Sequence, residues 1–170
     1  LPQQRWLFTV GHWDLTLQIT SLDTGKPIQC VKQHSDIITC VAVSIDYDVP
    51  YLVTGSRDCT LQVWIVHTAP NNFAGGGVSG MMGVGAINNS FKPLGNTPTP
   101  LHTLYGHDDA VTCVDIDAEL NIIVSGSDDG TIIIHKLREG SYIRTITAHS
   151  QPIQSLFSSS SASKSSSPAR

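Results

Sequence analysis

Two sets of His, hydroxyl and Asp stand out as residue types that could do chemistry: His34 with Thr54 and Asp58, and His107 with Ser125 and Asp129. A hydroxyl beside an imidazole that a carboxylate orients is the arrangement of a hydrolytic triad. Repetition argues against that use, because a catalytic triad is built once whereas a structural device recurs. The alternative is that each His donates a hydrogen bond to its Ser or Thr and is ordered by its Asp, tying a loop to a strand. A metal reading fails on the same ground. Of the seven histidines, His34, His107 and His149 recur at one position per repeat, so they fall on different structural units, too far apart for one coordination sphere.

Other motifs carry less. Gly75, Gly77 and Gly80 match the spacing of a dinucleotide fingerprint, but that motif needs a strand leading in and a helix leading out, and here more Gly and Asn follow. Cys40 and Cys113 occupy the same place in two copies, each inside an apolar run, and Cys30 and Cys59 lack a C-x-x-C spacing. All four are read as packing residues in a reducing compartment. Asn88-Asn89-Ser90 is a glycosylation sequon, relevant only to a secreted chain. No cofactor and no metal is expected, and the chain is not read as an enzyme.

The elements that must position these residues repeat. Gly11-His12-Trp13-Asp14-Leu15-Thr16-Leu17 returns as Gly55-Ser56-Arg57-Asp58-Cys59-Thr60-Leu61 and as Gly126-Ser127-Asp128-Asp129-Gly130-Thr131-Ile132. A His followed by an acidic turn and a β-branched run precedes the second and third copies, at His34-Ser35-Asp36-Ile37 and His107-Asp108-Asp109-Ala110. A turn plus an alternating strand, recurring at a fixed period, is the mark of a β-propeller array. Strands are expected at 38–43, Tyr51–Ser56 and Thr60–Trp64, with Ile38, Cys40 and Ala42 on one face and Thr39, Val41 and Val43 on the other. Outer strands follow at Ile28–Val31, Leu101–Leu104 and Tyr142–Ile146.

Over residues 7 to about 157 the chain resembles the WD-repeat family, with Gly106-His107 as the Gly-His pair and Trp64 as the strand-ending tryptophan. The resemblance implies a hydrogen-bonded tetrad in each blade: His34, Thr54, Asp58 and Trp64 in one, and His107, Ser125 and Asp129 in the next, where His135 stands in the tryptophan's place. In the first copy Asp14 remains, but Val10 and Thr20 break the set. More narrowly, the Gly11-His12-Trp13-Asp14 opening, the Ser56-Arg57-Asp58 segment ending in Trp64 and the exchange at His135 are similar to the C-terminal propeller of the BEACH-domain proteins, the neurobeachin group. That likeness implies a parent chain that supplies the remaining blades and an upstream BEACH domain.

The expected fold is all-β, a partial WD-repeat propeller of about two complete four-stranded blades plus flanking partial blades, not a closed ring on its own. Residues 1–33 form a partial blade, read as its outer half; 34–105 a blade with a low-complexity insert at 67–100; 106–148 a second blade; and 149–170 one further strand running into a disordered Ser-rich tail. The insert, rich in Gly, Asn and Pro, is expected to lack order. Its competing reading is a partner-docking loop around Met81, Met82 and Phe91. Propellers close with several more blades than this, so the segment alone is expected to expose blade faces and to associate.

With 170 residues and a net charge of −4, the chain lacks the clustered Lys and Arg that a nucleic-acid partner requires. No apolar run approaches the roughly eighteen residues of a membrane span, so direct membrane insertion is not expected. Asp108, Asp109 and Asp128 gather at corners that could receive a basic peptide, and Arg57 is a possible interface anchor. The function expected is a non-catalytic protein-interaction scaffold. By its BEACH likeness it would be cytoplasmic, peripheral on intracellular membranes and active in vesicle traffic. The alternative is a WD-repeat substrate receptor of a ubiquitin ligase, although no Arg stands two residues after a Trp-Asp pair at Trp64.

Overall fold

Short β-branched and aromatic runs, separated by Asp, Gly and Asn corners, form eleven strands and no helix among the described residues. The computed structural model describes residues 5–46, 49–67, 92–147 and 150–157. His149, the Gly75 to Gly80 motif, Met81, Met82, Phe91, the sequon and the Ser-rich tail lie outside them. The first sheet holds β1 (Trp6–Thr9), β2 (Leu17–Ser21) and β3 (Pro27–Val31). The second holds β4 (Ile38–Asp46), β5 (Val49–Ser56), β6 (Leu61–Ile65) and β7 (His102–Leu104). The third holds β8 (Val111–Asp117), β9 (Ile122–Ser127), β10 (Thr131–Lys136) and β11 (Tyr142–Thr147). Each sheet is antiparallel and runs in chain order.

Successive sheets stack face to face as propeller blades. Leu17, Ile19 and Val31 of the first blade meet Leu52, Trp64 and Val66 of the second in one cluster. Val53, Leu61 and Val63 of the second meet Val111, Ile116 and Ile123 of the third in another. Burying each such aliphatic side chain stabilises by about 1.5–3 kcal/mol, so the blades depend on one another. Equivalent positions show this directly. Leu104 of β7 is 2% exposed beneath the third blade, whereas Ile146, at the same place in β11, is 40% exposed. Ile122, Val124, Ile132 and Ile134 stay only half-buried where Tyr51, Val53, Leu61 and Val63 are buried. The fold is therefore a partial propeller with an uncovered apolar face on its third blade.

Strict alternation fails at the start of each first strand. A register shift between Ile38 and Cys40 turns Ile38 to the same side as Val41, against the first blade, and leaves Cys40 and Ala42 facing the third. The same shift recurs between Val111 and Cys113. The extra residue of this bulge is Thr39 or Thr112. The Thr39 hydroxyl donates to the Val111 carbonyl of the next blade and lies 3.1 Å from the Gly55 carbonyl. The Thr112 hydroxyl does the same with the Ile153 and Gly126 carbonyls. Glycine is required opposite. A Cβ on Gly55 would meet Cys40 Sγ and Val111 Cγ1, each at 2.7 Å. Gly55→Ala is therefore expected to cost about 1–3 kcal/mol through overpacking, measured by denaturant unfolding followed by circular dichroism. An unchanged midpoint would mean that the seam can widen.

Three expectations are corrected. The first blade holds its outer three strands rather than its outer half. Trp6 and Phe8 of β1 pack against the cluster beneath them, a strand that lies ahead of the first recognisable repeat corner. No strand forms at 150–157, although Ile153 takes the seat beside Gly126 that Val111 takes beside Gly55, and its N–H donates to the Ser127 carbonyl at 3.0 Å. Finally, residues 92–100 of the insert are placed, because Leu94 buries between the first two blades and the backbone around it finds partners.

Candidate functional site

The corners between second and third strands bring His, hydroxyl and Asp together. In the second blade Asp58 accepts from the Thr60 N–H at 3.0 Å and the Thr60 hydroxyl at 2.6 Å, which closes the turn. Its other oxygen accepts from His34 Nδ1 at 3.0 Å and from the Ser35 N–H at 2.9 Å. His34 Nε2 lies 2.9 Å from Thr54 Oγ1, and the Trp64 indole N–H donates to that same oxygen at 3.2 Å. An ionised carboxylate only accepts, so Nδ1 carries the proton and Nε2 of the neutral ring accepts from the Thr54 hydroxyl. The direction is thus opposite to that expected from sequence: the histidine accepts from the threonine. The chain runs Trp64 to Thr54 to His34 to Asp58, each group donating to the next.

The third blade keeps three members. His107 lies 2.8 Å from Ser125 Oγ and 3.3 Å from Asp129 Oδ2, and Asp129 accepts from Thr131 and from the Asp108 N–H. His135 does not complete the set. Its Nε2 donates to the Tyr105 carbonyl at 3.3 Å, and its Nδ1 is buried without a partner. An imidazole is shorter than an indole, so it turns to a backbone carbonyl within reach instead of spanning to Ser125. In the first blade Asp14 closes only its own turn, through Thr16, while His12 lies against Thr9. All three corners place their fifth residue in the left-handed region, Leu15 at φ 64°, Cys59 at 67° and Gly130 at 77°. Only the third uses glycine, so the Asp-centred bonds hold two strained side chains in place.

The hydroxyls and ring nitrogens of these sets are turned inward. Ser125 and Thr54 are fully buried, and each ring nitrogen is engaged. Burial pushes His34 and His107 below the ordinary imidazole range, outweighing the opposing pull of Asp58 and Asp129. The unfolded chain therefore binds protons near pH 6.5 that the folded rings refuse. The stability they contribute is complete above that pH and lost as pH falls from there toward their folded values. A second loss follows in acid. Burial raises Asp129, but bonds from the Thr131 hydroxyl and the Asp108 amide prevail and hold it at about 2. Melting temperature is expected to fall between about pH 7.5 and pH 5.5, and again below about pH 4. A profile flat between pH 7.5 and 5.5 would contradict neutral buried rings.

The remaining named residues are exposed on the same face. Arg57 N–H donates to the Ile37 carbonyl and Asp128 N–H to the Ala110 carbonyl, which fixes both corners while leaving their side chains outward. Asp108 and Asp109 precede β8, and Cys59 of the second blade sits among Asp58, Asp108, Asp109 and Asp129. Its thiol is raised by burial and then by those carboxylates. Cys40, within the inter-blade cluster, is pushed up to about 11 by burial, which suits a packing thiol. The four cysteines are free, and Cys30 on β3 is exposed, so the packing role expected of all four does not extend to it. Thr60 and Thr131 are members the sequence reading missed, each beside its Asp and within 3.3 Å of the histidine. The recurring Asp-x-Thr spacing at Asp14, Asp58 and Asp129 was the available signal.

Among the described residues no group of three or more His, Cys, Asp or Glu is placed to hold a metal, and no helix is long and apolar enough to cross a membrane. The fold is similar to the crystal structure of RRP9 WD40 repeats, with a TM-score of 0.64 at 19% identity, covering 88% of this chain and 37% of that one. In sequence the chain is 33% identical over 153 residues to "BEACH domain-containing protein B" of Arabidopsis thaliana, covering 86% of this chain. It is 31% identical over 147 residues to "Putative neurobeachin homolog" of Caenorhabditis elegans, covering 85% of this chain. It spans about 5% of the length of each. Residues 1–165 match the family described as "Neurobeachin beta propeller domain". The chain, with its repeated Asp-closed corners and stacked four-stranded blades, belongs to the neurobeachin β-propeller family.

Proposed function

We propose that this chain is the blade-bearing part of a non-catalytic protein-interaction scaffold, one that works in intracellular membrane traffic through a BEACH-type parent. The observation that carries the reading is the fate of the reactive residue types. The His, hydroxyl and Asp groups of the second and third blades are spent in tying corner loops to strands, while Arg57, Asp108, Asp109 and Asp128 stand outward on the corner face. A rigid frame beneath exposed loops is the arrangement by which scaffolds bind proteins. The partner surface is an acidic rim with one guanidinium, suited to a protein segment of mainly basic character. A net charge of −4 supports a protein rather than a nucleic acid. The location that fits is cytoplasmic, peripheral on intracellular membranes through the rest of the parent.

The test is proximity labelling by the full-length protein, with and without Asp108→Lys and Asp109→Lys. Vesicle-coat or tethering components are expected among the labelled proteins, with a subset lost on charge reversal. Labelling confined to ubiquitin-ligase subunits, or no trafficking component above background, would overturn the trafficking reading.

A further inference from the structure

The connection between β6 and β7 is unlike its counterparts. In the first and third blades the third strand turns into the outer strand through the short corners at 22–26 and 137–141. In the second blade it spans 66–101, and its base is closed: the His67 N–H donates to the Pro93 carbonyl at 2.8 Å and the Leu101 N–H to the Val63 carbonyl at 2.7 Å. The return leg lies on the neighbouring blade. Leu94 is 6% exposed and belongs to the cluster between the first and second blades. Its N–H donates to Gln29 Oε1 at 3.0 Å, while Gln29 Nε2 donates to the Gly95 carbonyl at 2.9 Å. Farther along, Gln33 Nε2 donates to the Pro98 carbonyl at 2.9 Å. Gln29 is 7% exposed, and its two backbone bonds are what make a buried amide tolerable there.

The same position recurs at the next seam. Gln29 of β3 stands opposite Ile19, as His102 of β7 stands opposite Val63. His102 Nε2 donates to the Arg138 carbonyl, 2.8 Å away in the corner between β10 and β11. At both seams, then, an outer-strand side chain of one blade grips backbone in the third-to-outer connection of the following blade.

We infer that residues 92–98 are a strap that clasps the first blade to the second at the outer rim, with Gln29 as its buckle and His102 as the equivalent clasp one seam later. The strap makes the return leg and the first blade one mechanical unit. A protein that lifts this leg also unseats Leu94 and loosens the seam beside His34, whose neighbour Gln33 holds the leg's far end.

Hydrogen exchange in the full-length protein tests this. In Gln29→Leu, exchange across 92–101 and across β3 is expected to accelerate about tenfold or more, while β8 to β10 keep their protection. Gln29→Glu keeps the acceptor for the Leu94 N–H but sets a buried carboxylate oxygen against the Gly95 carbonyl, so exchange across 92–101 is expected to accelerate in it as well. Gln33→Ala, at an exposed position, is expected to affect 96–99 alone and remains informative should Gln29→Leu fail to fold. Replacing residues 70–89 with a short Gly-Ser linker is expected to leave 92–101 protected. Unchanged exchange in both Gln29→Leu and Gln33→Ala, or loss of protection on replacing 70–89, would overturn the strap.

Discussion

Trp64→Ala is expected to lower stability by about 3–5 kcal/mol. Trp64 is 2% exposed and lies in the cluster between the first two blades, so truncation removes the largest buried side chain among the described residues and leaves a cavity between two sheets. The loss has a polar part too, because the indole N–H is the donor that starts the chain through Thr54 to His34. Trp64→Phe separates the two parts, keeping most of the ring volume while removing the N–H, and is expected to cost roughly half as much or less. His135→Ala, at the equivalent place in the third blade, removes a smaller ring bonded only to a backbone carbonyl. Its cost is expected to be clearly lower, near 1–3 kcal/mol. Denaturant unfolding followed by circular dichroism ranks the three. Equal losses for Trp64→Ala and His135→Ala would show that the tetrad's fourth member adds nothing beyond a filled site.

The repeat corners were legible because their chemistry is local. An Asp that bonds its own backbone two residues on, followed by an alternating strand, needs no tertiary knowledge, and such corners join β5 to β6 and β9 to β10 in the two four-stranded sheets. The members of each set were legible for the same reason, since His34, Thr54 and Asp58 fall at positions that a four-stranded blade brings together. What sequence could not show was direction and competition. The tautomer of His34 follows from which neighbour can only accept, and the turning aside of His135 follows from ring length against a nearby carbonyl. Neither is a property of spacing.

The bulges at Thr39 and Thr112 were hidden because a one-residue shift leaves composition unchanged while exchanging the faces. β1 was missed because it precedes the first corner, and repeat counting starts at corners. The strap was missed for a different reason. Its residues, Lys92 to Pro98, look like the rest of a Gly, Asn and Pro rich insert, and the reason for their order lies elsewhere, in Gln29 and Gln33 of the neighbouring blade. Long-range partners of that kind leave no local signature.

Asp58→Ala is expected to cost about 2–4 kcal/mol, although the residue lies at a surface corner. The carboxylate gathers donors from Ser35, Thr60 and His34, at distances between 2.6 and 3.3 Å. The hydroxyls of Ser35 and Thr60 can turn to water when it is removed. His34 Nδ1 cannot reach water, because the ring is buried and its other nitrogen is committed to Thr54, so it is left with the long contact to the Thr60 hydroxyl at 3.3 Å in place of a carboxylate. The turn also loses the bonds that hold Cys59 at positive φ. Asp58→Asn retains an acceptor and is expected to recover part of the loss. Asp14→Ala, where the carboxylate serves only Thr16, is expected to lose clearly less. A double-mutant cycle with His34→Phe isolates the shared part. If the interaction is the one described, Asp58→Ala costs far less in the His34→Phe background than in the native chain. Equal costs in the two backgrounds would mean that Asp58 acts on the turn alone, and that the histidine is held in place by packing rather than by its carboxylate.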